Sequence, residues 1–376
     1  MISNITGSEL AFLAGLLGGA ILVTILYEVF EVLLLPRRVR SPVRLVRVFF
    51  RSTWALWSGI GSRIGPVDRR ANFLSLYGPL SMVLLVVAWG CGLILGFGFL
   101  EWALAYSLKP VPTILSEMYL SGTTFFTLGY GDFTPHTGPA KLVAVAEAGT
   151  GFGFIAVVIG YLPVLYQLFS QREAKVIQLD ARAGSPPCAA TLLLRHSSGS
   201  GVEALDRLLE VWEAWGSEMI ESHLSYPMLS YYRSQHDNES WLAAVTAIMD
   251  TCAILLVGLK GRQAFHARMT FAISRLAITE LARIFQTPIR SLEIDRLTTD
   301  GFVKLESVLN GAGLQFEDQT AEDKLKALRN TYEPFLNGLS QYLLLPLPPW
   351  FADERDLDNW QNSPRGRTAK QLVESE

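Results

Sequence analysis

Apolar and polar positions divide the chain into two regimes. In the first 170 residues, three stretches are long and nearly continuous in apolar residues: Leu10–Leu35, Tyr77–Leu100 and Lys141–Phe169. A bilayer span needs about 20 such residues, so each stretch predicts a transmembrane helix. Glu28 and Glu31 enter the first stretch only in its last turns, Glu147 is the one acid in the third, and the second has no charge. The region from Leu100 to Ala140 is too polar and too broken to span. Beyond residue 171 the apolar positions recur at helical spacing instead, predicting helices over 202–224, 240–259, 263–286, 298–312 and 320–345. No alternating strand pattern competes, so the chain is predicted to be an all-α membrane protein with an α-helical bundle after the third span. Residues 241–259 are apolar enough to imitate a fourth span, but Asp250 lies at their centre. A crossing there would also export Lys260, Arg262 and Arg268, so a buried bundle helix is expected.

Charge orients the spans. Between the first two lie nine arginines against the single acid Asp68, whereas the segment between the second and third has Lys109 and little else. The basic loop, 37–76, is therefore expected in the cytoplasm, with the N-terminus and the second loop outside. Arg40, Arg44, Arg47 and Arg51 recur at steps of four, three and four, which places them on one helical face. Val43, Val46, Phe49, Phe50, Trp54 and Trp57 supply apolar surface beside them. This predicts a helix along the inner membrane surface with its arginines toward anionic lipids. Glu28 and Glu31 are expected to pair with Arg37 or Arg38. No arginine ladder marks 1–36 as a voltage sensor.

The segment before the third span contains "KPVPTILSEMYLSGTTFFTLGYGD". Pro110 and Pro112 end one helix and favour the start of another. Thr113 to Thr124 then gives roughly three turns, about half a bilayer. Gly129 and Gly131, two apart, weaken helix, so "TLGYGD" is read as a loop. Irregular backbone at membrane depth survives where it is buried in protein or lines water. With glycine alternating with Leu128 and Tyr130, successive carbonyls can turn to one side. Four such strands around an axis would present rings of oxygen that replace the water around a cation. Thr127 adds a hydroxyl at the inner end, and Asp132 places negative charge at the outer mouth.

Residues 77–170 thus resemble the pore module of potassium channels, most closely the bacterial tetrameric two-helix type. The signature T-x-G-Y-G-D stands here as "TLGYGD", followed by a proline, the basic Lys141 and an apolar helix. The resemblance implies a homotetramer conducting K+ passively. Its filter would be formed by Thr127, Leu128, Gly129, Tyr130, Gly131 and Asp132, with K+ held at Thr127 to Tyr130. It also implies a hinge glycine, at Gly151. The glutamate that many members carry behind the filter is replaced by Thr123, so Asp132 needs another partner. The pore-helix aromatics are reduced to Tyr119, with Phe125 and Phe126 nearer the filter.

The third span carries Gly149, Gly151, Gly153, Gly160 and Pro163. A bend at Gly149–Gly153 and at Pro163 is expected to open or close a gate around Ile159 to Gln167. Glu147, one turn before Gly151, has two readings: cation attraction or filter support, or a buried hydrogen bond to Ser121 or Thr123. Thr123 and Thr124 are grouped with it as support for the filter or cavity.

The composition is charge-poor, 18% against the ~25% usual in soluble proteins. A net charge of -3 gives no electrostatic case for nucleic acid. Cys91, Cys188 and Cys252 and the scattered histidines have no metal or redox spacing. No phosphate-binding loop, nucleophile motif or dinucleotide fingerprint appears, so neither an enzyme nor an organic cofactor is expected. The expected parts are a helix within 1–36, the basic loop 37–76, the pore module 77–170, a cytoplasmic helical domain 171–346 and a loose polar tail 347–376. A membrane receptor or scaffold that keeps the pore fold while the helical domain signals is the alternative reading.

Overall fold

The computed structural model describes residues 7–34, 45–108, 110–236, 238–289 and 295–352. It divides into two compact units, Met1–Tyr166 and Gln167–Glu376. The boundary falls inside the third apolar helix, close to the predicted change of composition.

The first unit holds α1 (Gly7–Val29), which runs on through a π-helical turn at Phe30–Leu34, α2 (Leu45–Gly61), α3 (Val67–Ser75), α4 (Tyr77–Ala105), α5 (Ile114–Phe125) and the start of α6 (Gly138–Ala183). Three helical stretches are long and apolar enough to cross a membrane, Gly7–Leu33, Val67–Ala105 and Gly138–Ala183. They coincide with the three predicted spans, the second extended backward through α3.

Helix α1 packs along α4 through small residues. A Cβ on Gly18 would lie 2.6 Å from the Gly96 carbonyl, and one on Gly92 would lie 2.2 Å from the Ile25 Cδ1. Membrane helices gain little from hydrophobic exclusion between themselves, so close backbone approach replaces it. Leu22 of α1, Leu93 and Phe97 of α4 and Phe125 of α5 meet in one core, with Val143 and Phe154 of α6 against it. This core carries α5 and thereby aims the loop that follows.

Glu28, buried near the end of α1, accepts from the Leu45 N–H at 2.6 Å. It thus satisfies one of the orphan donors at the start of α2. The expected partners Arg37 and Arg38 lie outside the described residues, as do Arg40 and Arg44. On α2, Phe50 and Trp54 are buried and Trp57 is partly so, instead of forming an apolar face beside the arginines. Trp57 stacks on Phe73 of α3 and Trp54 meets Tyr77 of α4 edge-on. Tertiary packing therefore claims the aromatics, because they bury the most area per side chain.

The second unit takes in the rest of α6 and then α7 (Ala189–Arg195), α8 (Gly201–Ser225), a 3-10 turn at Pro227–Tyr231, α9 (Trp241–Val257), α10 (Phe265–Phe285), α11 (Thr299–Gly311), α12 (Ala321–Arg329) and α13 (Glu333–Leu343). It is all-helical: among the described residues there is no strand, only one isolated bridge, Leu259 to Phe316. Helix α9 is its centre, buried from Trp241 to Leu255, as expected of a bundle helix. Ser240 is its cap, accepting from the Ala243 N–H.

Two expectations for this unit change. The helix predicted over 320–345 is broken into α12 and α13, because Pro334, in the first turn of α13, lacks the N–H that a continuing helix would need. The tail expected from 347 is packed at its start. Trp350 is 1% exposed, with the guanidiniums of Arg296 and Arg329 over its ring at 5.7 and 5.3 Å.

Asp250, which argued against a fourth span, is fully buried and satisfied. It accepts from Arg296 Nη2 at 2.6 Å and from the Tyr332 hydroxyl at 2.7 Å. Glu333 bridges Arg296 and Arg329, and Asp295 also pairs with Arg329. Burial works to raise the Asp295 carboxyl, but the Arg329 hydrogen bond and charge outweigh it and hold the group below its usual value. Breaking one partner of such a network would leave a buried charge uncompensated.

Candidate functional site

The loop after α5 is where the sequence concentrates its chemistry. Thr113 caps α5, its hydroxyl accepting from the Ser116 N–H at 3.2 Å. Trp102 on α4 donates its indole N–H to the Pro112 carbonyl at 3.1 Å, fixing the entry to the helix. Helix α5 begins and ends within a residue of the predicted Thr113–Thr124.

At its C-terminus the chain turns into an alternating backbone. Thr127, Gly129 and Gly131 have φ of 56°, 57° and 79°. The left-handed region is costly for a residue with a Cβ, which explains the two glycines. Thr127 adopts it two residues after the end of α5, and the Leu128 N–H returns to the Thr123 carbonyl at 2.8 Å. Sequence reasoning gave Thr127 only a hydroxyl role; its backbone was not foreseen, because nothing in a threonine announces φ above zero. Residues 126–134 are exposed within the single chain, Tyr130 by 68% and Leu128 by 53%.

Asp132, also exposed, lies within electrostatic reach of Tyr119 of α5. Tyr119 also meets Phe133 edge-on at 5.6 Å. Thr123 turns its hydroxyl back to the Leu120 carbonyl at 2.9 Å and takes no part at the mouth. Thr124 is half-buried, and its carbonyl accepts from the Thr127 N–H at 3.0 Å.

Glu147 of α6 lies behind the loop, fully buried, with Oε1 2.5 Å from Ser121 Oγ of α5. The same Ser121 hydroxyl is 2.8 Å from the Ile94 carbonyl of α4. A serine carries one proton, and an ionised Glu147 and the carbonyl would both require it. Both contacts are satisfied together when Glu147 is the neutral acid, donating to Ser121 while Ser121 donates to Ile94. Of the two partners expected for Glu147, the structure selects Ser121 and not Thr123. Glu101 of α4 is also fully buried, and among the described residues neither of its oxygens has a donor. It lies within electrostatic reach of Glu117 and Glu147. Sequence reasoning missed it because it sits at the polar edge of a span, where an acid usually reaches water.

Gly151 faces α5. A Cβ there would lie 2.0 Å from the Phe125 carbonyl, whereas Gly149, Gly153 and Gly160 have open space within the chain. Helix α6 runs unbroken from Gly138 to Ala183, with Pro163 inside it.

No group of three or more metal-type ligands forms among the described residues.

Comparison with known proteins agrees with this geometry. Residues 83–167 match the family of two-helix ion channel domains described as "Ion channel". The chain is 27% identical over 222 residues to the uncharacterized membrane protein YdjJ of Bacillus subtilis (strain 168). The alignment takes in 55% of this chain and 60% of that relative's length. No solved structure matches. The half-helix, the alternating loop and the two apolar helices around them therefore resemble the pore module of ion channels, within a chain similar to a membrane protein.

Proposed function

We propose that the chain forms a potassium-selective channel in which four copies close one pore. The observation that carries this is the backbone of Thr127 to Gly131, left-handed at every second residue and exposed. A strand of this kind turns its carbonyls to one side, and one strand alone cannot enclose an ion. K+ would be held by the oxygens of Thr127, Leu128, Gly129 and Tyr130, with Gly131 and Asp132 at the outer mouth. Conduction would be passive, with the N-terminus and the loop outside and the second unit in the cytoplasm, as the arginine asymmetry indicates.

The second unit is a candidate for gating, because α6 continues into it. Arg172, on that continuation, is 4% exposed and donates to the Leu229 and Tyr232 carbonyls, each at 2.7 Å. A movement of the 3-10 turn would thereby reach α6 directly.

The test is flux from liposomes containing purified full-length protein. K+ efflux should exceed Na+ efflux, and Gly129→Ala should abolish it, since a Cβ strains the left-handed backbone. Equal flux of the two ions, or unchanged flux in Gly129→Ala, would overturn the reading. In that event the scaffold alternative becomes the better account.

A further inference from the structure

Helix α2 has three sides, and two of them are outward-facing among the described residues. At 100° per residue, Phe50, Trp54 and Trp57 form one side, Arg47 and Arg51 the next, and Val48, Leu56 and Ile60 the third. The first side is locked inward. The Tyr77 hydroxyl donates to the Phe50 carbonyl at 3.0 Å, and the Trp57 indole N–H donates to the Phe73 carbonyl at 3.2 Å. With Glu28 of α1 holding the Leu45 N–H, α2 is tied to two membrane-spanning helices. Its other sides are presented outward: Leu56 is 70% exposed and Val48 58%, with the exposed Arg47 and Arg51 along the adjoining edge.

We propose that this outward surface of α2 binds anionic phospholipids, Arg47 and Arg51 holding the headgroups while Val48, Leu56 and Ile60 enter the acyl boundary. Charge complementarity selects that occupant. Between Leu45 and Leu76, five arginines face one acid, Asp68, and no ion pair among the described residues involves Arg47 or Arg51. An acidic peptide would match the arginines, but it would leave the apolar stripe beside the spans unexplained. A lipid supplies both chemistries in the order the helix presents them. The surface is independent of ion conduction and stands whether or not the pore is selective.

The test uses the full chain with Cys91→Ser and Leu56→Cys, the other cysteines, Cys188 and Cys252, being buried. An environment-sensitive fluorophore at position 56 is followed in phosphatidylcholine liposomes. Brominated phosphatidylglycerol or brominated phosphatidylcholine is added at equal mole fraction. The expected result is stronger quenching by the anionic lipid. Arg47→Gln and Arg51→Gln should each weaken that preference about fivefold. Quenching by neither lipid would mean that a second copy or another protein covers the face. Equal quenching by both would mean that the arginines do not select headgroups. Either result overturns the proposal.

Discussion

At the scale of single residues, the pore module turns on a few groups with little freedom. Glu147 is the clearest. Its contact with Ser121 closes a hydrogen-bonded chain from α6 through α5 to α4. Glutamine keeps a donor at that point and alanine does not. Glu147→Gln should therefore retain the melting temperature of the parent. Glu147→Ala should lose about 1–3 kcal/mol, from the lost hydrogen bond to Ser121 and the void left in its place. Thermal melting of the purified variants measures the difference; equal losses in both would show that the contact contributes nothing. The residue was legible in sequence as a lone acid in an apolar span, but its partner was not, because Ser121 and Thr123 are equivalent candidates until α5 is placed.

At the scale of elements, α6 carries two properties that sequence reading merged. Gly151 is a hinge candidate from the sequence, and what the structure shows there is the close passage of the Phe125 carbonyl. Alanine at 151 would overpack that contact and cost roughly 1–3 kcal/mol. Alanine at 149 or 153 meets nothing within the chain and stiffens the helix by about 1 kcal/mol. Single-channel recording of Gly149→Ala and Gly153→Ala therefore isolates bending from packing. A lower open probability without loss of thermal stability supports bending, and an unchanged open probability removes it. Helix starts were legible where a cap or proline marks them, as at Thr113 and Ser240. The break between α12 and α13 was marked too, by Pro334, but the apolar period running through it concealed the mark. The inward turn of Phe50, Trp54 and Trp57 was not marked at all, since either face of an amphipathic helix can meet protein.

At the scale of the whole molecule, two units of opposite character share one helix, and acid should affect the second first. His223 is buried beside Trp241, and among the described residues its Nε2 has no partner. Burial, assisted by the charge of Arg172, pushes its pKa down from 6.5 to about 3. The unfolded chain therefore binds a proton that the folded one refuses. Stability is intact above pH 6.5 and falls as pH drops below it, at about 1.4 kcal/mol per pH unit. His223→Phe should flatten that slope in denaturant unfolding followed between pH 7 and 4, whatever its effect at pH 7; an unchanged slope would assign the acid sensitivity elsewhere. Sequence alone determined the three long apolar helices, the half-helix α5, the glycine-alternating loop after it and the helical second unit. These follow from apolar run length, glycine placement and helical period, which are local and additive along the chain. Tertiary structure decided the partners: Ser121 for Glu147, Arg296 for Asp250, and the burial of Glu101 with no donor among the described residues. A side chain's partner depends on which distant segment is brought beside it, and no local pattern carries that information.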